Sequence, residues 1–280
     1  MRTIKKPSQF QALVRKISRP LVLVPTMGAL HEGHLALVRR ARKLAGQKGT
    51  VVASLFVNPT QFGPKEDFSR YPRPFRRDCS LLWKTGCDLV FAPEMGEMYH
   101  DDRSISVSEN QLSKVMCGAA RPGHFDGVCL IVSKLFHIVQ PDISVFGEKD
   151  YQQLAILRRM VRDLNFPVQI VSHPTVREPD GLAMSSRNGY LSAEERRQAP
   201  IIYEAFRIAE EKVRSGTTSK TKLATWIRRK IQSAPLAKID YVEIVNPDDL
   251  QPVRDLKPPL LLAAAVFFGK TRLIDNRLVQ

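Results

Sequence analysis

The sequence predicts an α/β protein built on a parallel sheet, and two observations support that prediction. Short, continuously apolar runs that stop at glycine, proline or asparagine indicate buried strands, and they alternate with segments whose apolar residues recur at helical spacing. Strands separated by helices of about ten residues or more are typical of crossover units in a parallel sheet. The alternation weakens after Pro174, so we predict a parallel-sheet α/β domain over residues 1–174 and a smaller α+β domain over residues 175–280.

The elements of the first domain follow from these local patterns in chain order. Leu21–Val24 is an apolar run closed by Pro25 and Gly28, which indicates a buried strand. From His34, apolar residues recur at helical spacing while arginines mark the solvent side. The predicted elements are a strand at 21–24, a helix from 34, strands at 50–57 and 89–92, a helix at 128–139, a strand at 143–146, a helix at 151–164 and a strand at 168–171.

The second domain gives weaker signals. Ser192 and Glu195 have the spacing of a capping box and predict the start of a helix. A basic helix is predicted around residues 221–231, and strands are predicted at 239–245 and in the apolar run that begins at Leu260. This mixture of helices and strands predicts an α+β arrangement.

Composition excludes several classes of protein. Hydrophobic residues make up 43% of the 280 residues, too many for a disordered chain. The longest apolar run, Leu260–Phe268, is shorter than the roughly 20 residues a membrane-spanning helix needs, and the N-terminal segment lacks the apolar core of a secretory signal. Four cysteines without a C-x-x-C pair predict free thiols and a cytoplasmic location. The net charge of +15 predicts attraction to phosphates or other anions.

The turn after the first predicted strand carries two histidines, His31 and His34. Ligands bind beyond the carboxyl ends of parallel strands, and the free N–H groups at the start of the following helix favour an anion. Both imidazoles could reach a phosphate chain, so the turn predicts a nucleotide phosphate site. The alternative is that one histidine caps the helix while the other is exposed. A metal site is disfavoured because H-x-x-H lacks the one-turn spacing of H-E-x-x-H.

Two further strand ends carry side chains suited to a polar substrate. Lys149 follows the strand at 143–146, where its charge could neutralise a phosphate. Asp150 beside it is either the N-cap of the next helix or an acceptor for ribose hydroxyls. Gln153 lies about one turn into that helix, and Gln61 follows the strand at 50–57. Two amides at separate ends of one sheet suggest a small hydroxylated substrate.

A third candidate segment runs from Met184 to Arg187, close to the predicted domain boundary. Ser185 and Ser186 offer neutral donors, and Arg187 offers a planar fork for phosphate oxygens. The simple alternative is a solvated turn. In a cleft between domains, facing the other two turns, the segment would clamp the phosphates.

Six segments, taken together, resemble one known family. They read PTMGALHEGH at 25–34, FVNPTQFG at 56–63, YPR at 71–73, RPGHFDGV at 121–128, FGEKDYQQL at 146–154 and PTVREPDGLAMSSRN at 174–188. In these segments the sequence is similar to the pantoate–β-alanine ligase family of the HIGH-motif nucleotidyltransferase superfamily. The resemblance extends from near the start of the chain to about residue 190.

This resemblance implies a Rossmann-like domain with a smaller C-terminal lid domain, a homodimer, and an enzyme that uses ATP and Mg²⁺. ATP and (R)-pantoate would first give pantoyl adenylate and pyrophosphate, and β-alanine would then displace AMP to give pantothenate. No nucleic acid or membrane partner is implied. A carboxylate nucleophile needs no general base, which fits the lack of an obvious Ser-His-Asp set.

The resemblance also implies roles for individual residues. His34 would be a proton donor and His31 a phosphate contact, while Lys149 and Arg187 would stabilise the charge that gathers at the reacting phosphate. Gln61 would hold pantoate and lie near β-alanine, and Gln153 would also hold pantoate. The implied ATP site consists of Met27, Gly28, Ala29, Leu30, His31, Glu32, Gly33, His34, Gly147, Glu148, Lys149, Asp150, Val176, Met184, Ser185, Ser186 and Arg187.

The sequence departs from the family pattern at two positions. Many relatives carry paired acids after the Tyr-Pro-Arg segment, whereas here Arg77 precedes a single Asp78. Asp78 is therefore a candidate Mg²⁺ ligand, and the alternative is that the phosphates alone carry the metal. Thr60 stands where many relatives have Met, which we expect to matter little.

Two other functions remain to be weighed. One is a nucleotidyltransferase of the same superfamily that moves AMP or CMP onto a phosphate acceptor. Gln61 and Gln153 argue against it, because amides suit a hydroxylated carboxylate better than a phosphomonoester. The other is nucleic-acid binding, suggested by the +15 charge; it is disfavoured because aromatic residues are 8% of the chain and lie mostly among apolar positions.

Overall fold

Six parallel strands form the larger of two sheets in this computed structural model, which describes residues 1–64 and 66–280. The strand order is β1-β4-β3-β2-β5-β6. All five pairings within the sheet are parallel, which confirms the predicted Rossmann-like architecture. The strands are β1 (Arg2–Ile4), β2 (Leu21–Thr26), β3 (Thr50–Leu55), β4 (Leu89–Phe91), β5 (Ile143–Gly147) and β6 (Gln169–His173).

Helices cover both faces of this sheet. Strand β2 shows the layering: Leu21 and Leu23 point into one core, whereas Val22 and Val24 point into the other. Because the strand is buried on both sides, it appears in the sequence as an uninterrupted apolar run. The helices of this part are α1 (Pro7–Val14), α2 (Glu32–Ala45), α3 (Phe75–Lys84), α4 (Met95–Met98), α5 (Met116–Ala120), α6 (His124–Val139) and α7 (Tyr151–Asp163).

The remainder of the chain forms a second, antiparallel sheet with its own helices. Its order is β7-β8-β9, and alternate residues of β8 face two different cores. Leu262 and Ala264 pack with α9 and α10, whereas Leu261 and Ala263 join the core beneath the first sheet. The elements are α8 (Ala193–Gln198), α9 (Ile201–Arg214), α10 (Lys220–Gln232), β7 (Ala237–Val245), β8 (Leu260–Phe268) and β9 (Thr271–Val279).

The smaller α+β part is therefore present as predicted. The last strand of the first sheet ends at His173, and the second sheet begins only at Ala237. The boundary between residues 174 and 175 stays a prediction, because the two sheets share a core. Within residues 1–64 and 66–280, no helix is both long and apolar enough to cross a membrane.

Every strand and helix predicted from the sequence is present, with bounds that differ by a few residues. The capping box is confirmed: the Ser192 hydroxyl accepts from the Glu195 N–H at 3.3 Å, and the Glu195 carboxylate accepts from the Ser192 N–H at 2.7 Å. The prediction missed several elements that are short or mixed in polarity. These are β1, α1, α3, α4, α5, α9 and β9.

A tight contact between α6 and the short turn at Pro59–Gln61 fixes part of the cleft wall. A Cβ added at Gly127 would lie 2.1 Å from the carbonyl oxygen of Thr60, closer than any real side chain can approach. Only glycine lets the helix backbone approach this turn so closely.

We expect Gly127→Ala to lower the free energy of unfolding by about 1–3 kcal/mol through overpacking. Alanine is the better helix former, so propensity alone would act in the opposite direction. Urea unfolding measures the change. Gly96→Ala is the matched control, because an added Cβ there meets no atom within 4 Å. Equal stability of the two variants would contradict the contact.

Candidate active site

The candidate site lies where the strand order of the larger sheet reverses. After β2 the chain moves outward through β3 and β4, and it later returns to place β5 on the other side of β2. The two strands pair in parallel, with Val22 opposite Ile143 and Leu23 opposite Ser144. Their carboxyl ends therefore open into one crevice, the usual position for a ligand in an open α/β sheet.

A cavity of about 240 Å³ occupies this crevice. It adjoins a larger cavity of about 680 Å³ between the two sheets, and Lys149, Gln153 and Arg187 line both. Fourteen predicted site residues line the smaller cavity: Met27, His31, Gly33, His34, Gln61, Gly147, Lys149, Asp150, Gln153, Val176, Met184, Ser185, Ser186 and Arg187. The structure thus brings all three predicted turns to one place.

Some predicted residues lie outside the cavity wall. The Glu32 carboxylate pairs with Arg39, and the Glu148 carboxylate accepts from the Ser172 hydroxyl at 2.8 Å. The remaining residues outside the wall are Gly28, Ala29, Leu30 and Asp78.

Asp78 holds the loop at residues 28–30 through hydrogen bonds to its backbone. It is 2% exposed, and its two carboxylate oxygens accept the backbone N–H groups of Ala29 at 2.8 Å and Leu30 at 3.0 Å. The loop needs this support, because Gly28 and Ala29 both adopt left-handed backbone conformations, with φ of 80° and 51°. A non-glycine residue in that region is strained. The carboxylate compensates by pairing two buried amides.

This geometry gives Asp78 a positioning task that the sequence did not predict. Both oxygens accept backbone amides, and the side chain does not line the cavity. Among the residues that the structure describes, no three His, Cys, Asp or Glu side chains lie close enough together to hold a metal ion. Of the two alternatives for Mg²⁺, a contact with Asp78 or binding by the phosphates alone, neither is tested by this geometry, and the role of Asp78 toward the metal stays a prediction.

The two histidines form the N-terminal cap of α2. The Nδ1 of His31 accepts the N–H of Gly33 at 3.2 Å, and the Nδ1 of His34 accepts the N–H of His31 at 3.4 Å. Together these bonds form a capping box made of imidazoles, so the capping alternative for His31 holds alongside its position on the cavity wall. Because each Nδ1 accepts a backbone proton, each neutral ring carries its own proton on Nε2.

Burial keeps both rings neutral. It lowers the pKa of His31 to about 4 and that of His34 to about 3, and the nearby charge of Lys149 acts in the same direction on both. At neutral pH the pair therefore offers Nε2–H hydrogen-bond donors rather than a transferable proton. The proton-donor role expected for His34 stays a prediction.

Lys149 sits in a single helical turn, Glu148–Asp150, between β5 and α7. Its ammonium lies 3.9 Å from the Asp150 carboxylate. Asp150 holds the N-cap position of α7, but its side chain makes no capping hydrogen bond, so that interpretation was wrong. Its carboxylate, 48% exposed, lies on the cavity wall. Of the two roles weighed for Asp150, the structure leaves the acceptor role open.

Gln61 is oriented by a buried amide. The Nδ2 of Asn58 donates to the Oε1 of Gln61 at 2.9 Å, and the Tyr99 hydroxyl holds Asn58 by donating to its Oδ1 at 2.7 Å. Since the carbonyl end of Gln61 is occupied, its Nε2 donor faces the cleft. Gln153 lines the same cavity from the first turn of α7.

Arg187 is held by an acidic residue that the sequence analysis missed. Its Nε and one terminal nitrogen donate to the two Asp67 oxygens at 3.3 and 2.9 Å. Burial favours a higher pKa for Asp67, but the hydrogen bond and charge of Arg187 outweigh it, and the pKa is lowered. Side-on pairing of this kind leaves the outer edge of the guanidinium for a ligand. Ser185 caps the turn at Arg187, and Ser186 contacts the Tyr71 hydroxyl at 3.3 Å.

Arg121 and His124 also line both cavities, although no role was predicted for either. Arg121 pairs with both oxygens of Glu66 at 2.7 and 2.6 Å, and a further nitrogen lies 3.0 Å from the His124 ring. The Nδ1 of His124 lies 2.8 Å from the main-chain carbonyl oxygen of Gln61. Burial and the charge of Arg121 lower the pKa of His124 to about 4. The sequence signal was their place in the RPGHFDGV segment at 121–128, which carries part of the family resemblance but was given no role.

The assembled site joins two kinds of binding group around one small cavity. Neutral imidazole N–H groups, an ammonium and a guanidinium are suited to a polyphosphate. Two amides that line the same cavity are suited to a carboxylate that also bears hydroxyl groups. The arrangement can hold two anions side by side while the larger cavity leaves a path for a third reactant.

Comparison with protein families and curated sequences gives a consistent result. The family model described as pantoate-beta-alanine ligase matches residues 1–278. A protein named pantothenate synthetase from Thermotoga neapolitana is 50% identical over 277 residues, which cover 99% of this chain and 98% of that protein. A protein of the same name from Acetivibrio thermocellus is 50% identical over 283 residues, which cover 100% of each chain.

Solved structures agree with the sequence comparison. A pantothenate synthetase from Thermus thermophilus matches with a TM-score of 0.94 and 46% identity, over 100% of this chain and 99% of that chain. A pantoate-beta-alanine ligase from Francisella tularensis matches with a TM-score of 0.81 and 31% identity, over 99% of this chain and 97% of that one. The latter was solved as a complex with beta-gamma ATP and beta-alanine.

Three half-buried histidines predict how stability depends on pH. His31, His34 and His124 have pKa values of about 4, 3 and 4 in the folded protein, whereas an unfolded histidine titrates near 6.5. Between these values the unfolded chain binds more protons, so stability is full above about pH 6.5 and falls as the pH drops. We expect unfolding between pH 6.5 and 5 to take up as many as about three protons.

Denaturant unfolding across this window measures the slope, and carboxylates contribute little above pH 5. His124→Asn removes one titrating ring, so its slope should be shallower by up to about one proton. A free energy of unfolding that stays constant from pH 7 to 5 would contradict the lowered pKa values.

Asp78→Asn tests positioning against metal binding. Asparagine keeps the size of the side chain but offers only one acceptor to two amides, so we expect a loss of about 1–3 kcal/mol in stability and weaker ATP binding. Excess Mg²⁺ should not restore ATP affinity. Recovery at high Mg²⁺, measured by calorimetric titration of ATP, would instead favour a metal ligand. Asp88→Asn, outside the cleft, controls for the loss of a carboxylate.

Proposed function

The chain belongs to the pantoate–β-alanine ligase family, and we propose that it performs the family's ATP-dependent condensation in the cleft at the ends of β2 and β5. One observation carries the assignment of the reaction to this cleft. His31, His34, Lys149 and Arg187 surround the same 240 Å³ cavity as Gln61 and Gln153. Phosphate-binding groups and carboxylate-binding amides are thus within reach of one reacting centre.

In the first step, a carboxylate oxygen of pantoate attacks the α-phosphorus of ATP. A new P–O bond forms, the bond to the β-phosphate bridging oxygen breaks, and pyrophosphate leaves with the electron pair. No proton has to move, because the nucleophile is already ionised. The protein's task is to align two anions and to stabilise the charge that gathers on the transferred phosphate.

We assign that stabilisation to four side chains. The Nε2–H groups of His31 and His34 donate to phosphate oxygens, and their low pKa values keep them as neutral donors. Lys149 adds a full positive charge at the end of β5. Arg187 adds the free edge of its guanidinium, aimed by the pairing with Asp67.

Pantoate is assigned to the two glutamines that line the cavity. Gln61 presents its Nε2 donor there because Asn58 occupies its carbonyl oxygen. Gln153 adds a second amide that can donate to the carboxylate and accept from a hydroxyl. Main-chain groups near Met27 and Val176 complete the space for the nucleotide.

In the second step, the amine of β-alanine attacks the acyl carbon of the adenylate. A C–N bond forms, the C–O bond to AMP breaks, and the amine proton passes to the departing phosphate or to water. The 680 Å³ cavity between the sheets provides the space through which β-alanine reaches the acyl carbon. The C-terminal part acts as a lid that protects the adenylate from hydrolysis.

Several accompanying properties belong to the same proposal. Mg²⁺ would be held by the phosphates of ATP, alone or with Asp78, and would neutralise part of their charge. The enzyme is a homodimer, as the family resemblance implies. It works in the cytoplasm, which is consistent with its four free cysteines.

Pantoate-dependent exchange of pyrophosphate into ATP, without β-alanine, tests the first step. We expect Lys149→Ala and His34→Ala to slow this exchange by about 100-fold or more, because each removes a donor to the transition-state charge. Lys48→Ala is the matched control, since Lys48 is exposed in the turn after the C-terminal end of α2 and lines neither cavity. Thermal melts separate a lost donor from a lost helix cap. Near wild-type exchange in both variants would overturn the assignment.

The acid site is tested in the same assay. Gln61→Ala and Gln153→Ala should raise the KM for pantoate more than the KM for ATP, whereas the exposed Gln47→Ala should change neither. An equal rise in both constants would show that these amides do not hold the acid.

A further inference from the structure

A buried asparagine near the C-terminus binds the turn that carries Lys149. The Nδ2 of Asn276, on β9, donates to the carbonyl oxygens of Glu148 at 2.9 Å and Lys149 at 2.8 Å. Asn276 is 9% exposed, so water competes little for these bonds. One side-chain amide from the second sheet thus spans two consecutive peptide groups of the active-site turn.

The neighbouring residue anchors the strand that carries Asn276. Both oxygens of Asp275, whose side chain is 4% exposed, accept from Arg177 at 2.7 and 2.9 Å. One Asp275 oxygen also accepts the backbone N–H of Asn276 at 2.8 Å. Asp275 thus ties β9 to Arg177, in the segment that leads toward Arg187, while Asn276 beside it contacts the Lys149 turn.

The Lys149 turn leads directly into α7, so helical backbone bonds restrain it on that side. Few side chains hold it: Asp150 makes no capping bond, and the ammonium of Lys149 has only a long contact of 3.9 Å with that residue. The Glu148 carboxylate accepts from Ser172, which fixes one side of the turn but not its carbonyl groups. Among the described residues, Asn276 provides the side-chain hydrogen bonds to the carbonyl groups of Glu148 and Lys149, and these bonds tie the turn to β9.

We infer that Asn276 is a positioning residue for the reaction: it holds the Lys149 ammonium at the reacting phosphate by fixing the peptide groups on both sides of residue 149. This inference rests on the proposed role of Lys149. It also makes the C-terminal sheet part of the active site, since the turn keeps its alignment only while β9 is in place.

Two substitutions remove the restraint in different ways. Asn276→Ala deletes the donor, and Asn276→Asp keeps the shape but turns a carboxylate oxygen toward two carbonyl oxygens. A misplacement of about 1 Å can cost about 100-fold in rate, so we expect at least a 10-fold loss of pantoate-dependent pyrophosphate exchange at saturating substrate in both variants. The KM for ATP should change by less than about threefold.

A double-mutant cycle separates positioning from general stability. If Asn276 acts through Lys149, the double variant Lys149→Ala with Asn276→Ala should exchange pyrophosphate at the rate of Lys149→Ala alone. If Asn276 acts independently of Lys149, the fold-losses in exchange rate of the two single variants should multiply in the double variant. Asn246→Ala is the control, because Asn246 lies in the same half of the chain and makes turn hydrogen bonds without contacting the Lys149 turn. Asn276→Ser, which keeps a short donor, replaces either variant that fails to melt cooperatively.

The outcomes distinguish this inference from the proposed function. A slow Lys149→Ala with wild-type rates in the Asn276 variants overturns the positioning role alone, and so do losses that multiply in the double variant. A wild-type rate for Lys149→Ala overturns both. Slow Asn276 variants with an unchanged ATP KM, a normal Asn246→Ala and no further loss in the double variant support the inference.

Discussion

Parallel pairing of β2 with β5 is the constraint on which the cleft depends. These two strands are separated by more than a hundred residues in the chain, yet the register that sets Leu23 opposite Ser144 makes their carboxyl ends emerge side by side. As a result, the turn with the histidines and the turn with Lys149 lie next to each other. Each turn brings one incomplete set of donors, and only their adjacency forms a polyphosphate site.

The fold was readable from the sequence wherever burial was symmetrical. Strands β2, β3 and β5 are covered on both faces, so each appears as an apolar run, and the helices between them show one wet face. Strand β1 escaped notice because three residues are too few to show a period. Strand β9 escaped because Arg272, Asp275 and Asn276 interrupt its apolar residues. Those polar side chains face the cleft or its neighbouring turns. They interrupt the apolar pattern by which a strand is recognised in a sequence.

The candidate site was predictable in location but not in its supports. Glycine-rich turns at strand ends marked the positions of His31, His34 and Lys149. The partners that hold the site come from remote parts of the chain: Asp78 lies 48 residues from Leu30, and Asp67 lies 120 residues from Arg187. Pairings over such distances leave no local pattern. A single sequence therefore predicts which side chains reach the ligand, but not which residues orient those side chains.

The imidazole capping box makes folding and ligand binding depend on the same two side chains. A replacement at His31 or His34 first has to preserve the N-terminal cap of α2. Its effect on catalysis matters only in variants that still fold. Gln153 carries no such double duty, since its side chain makes no hydrogen bond among the described residues. We expect a library randomised at 153 to keep more folded members than one randomised at 31 or 34. Changes of substrate preference in this cleft are therefore more accessible through Gln153 than through the two histidines.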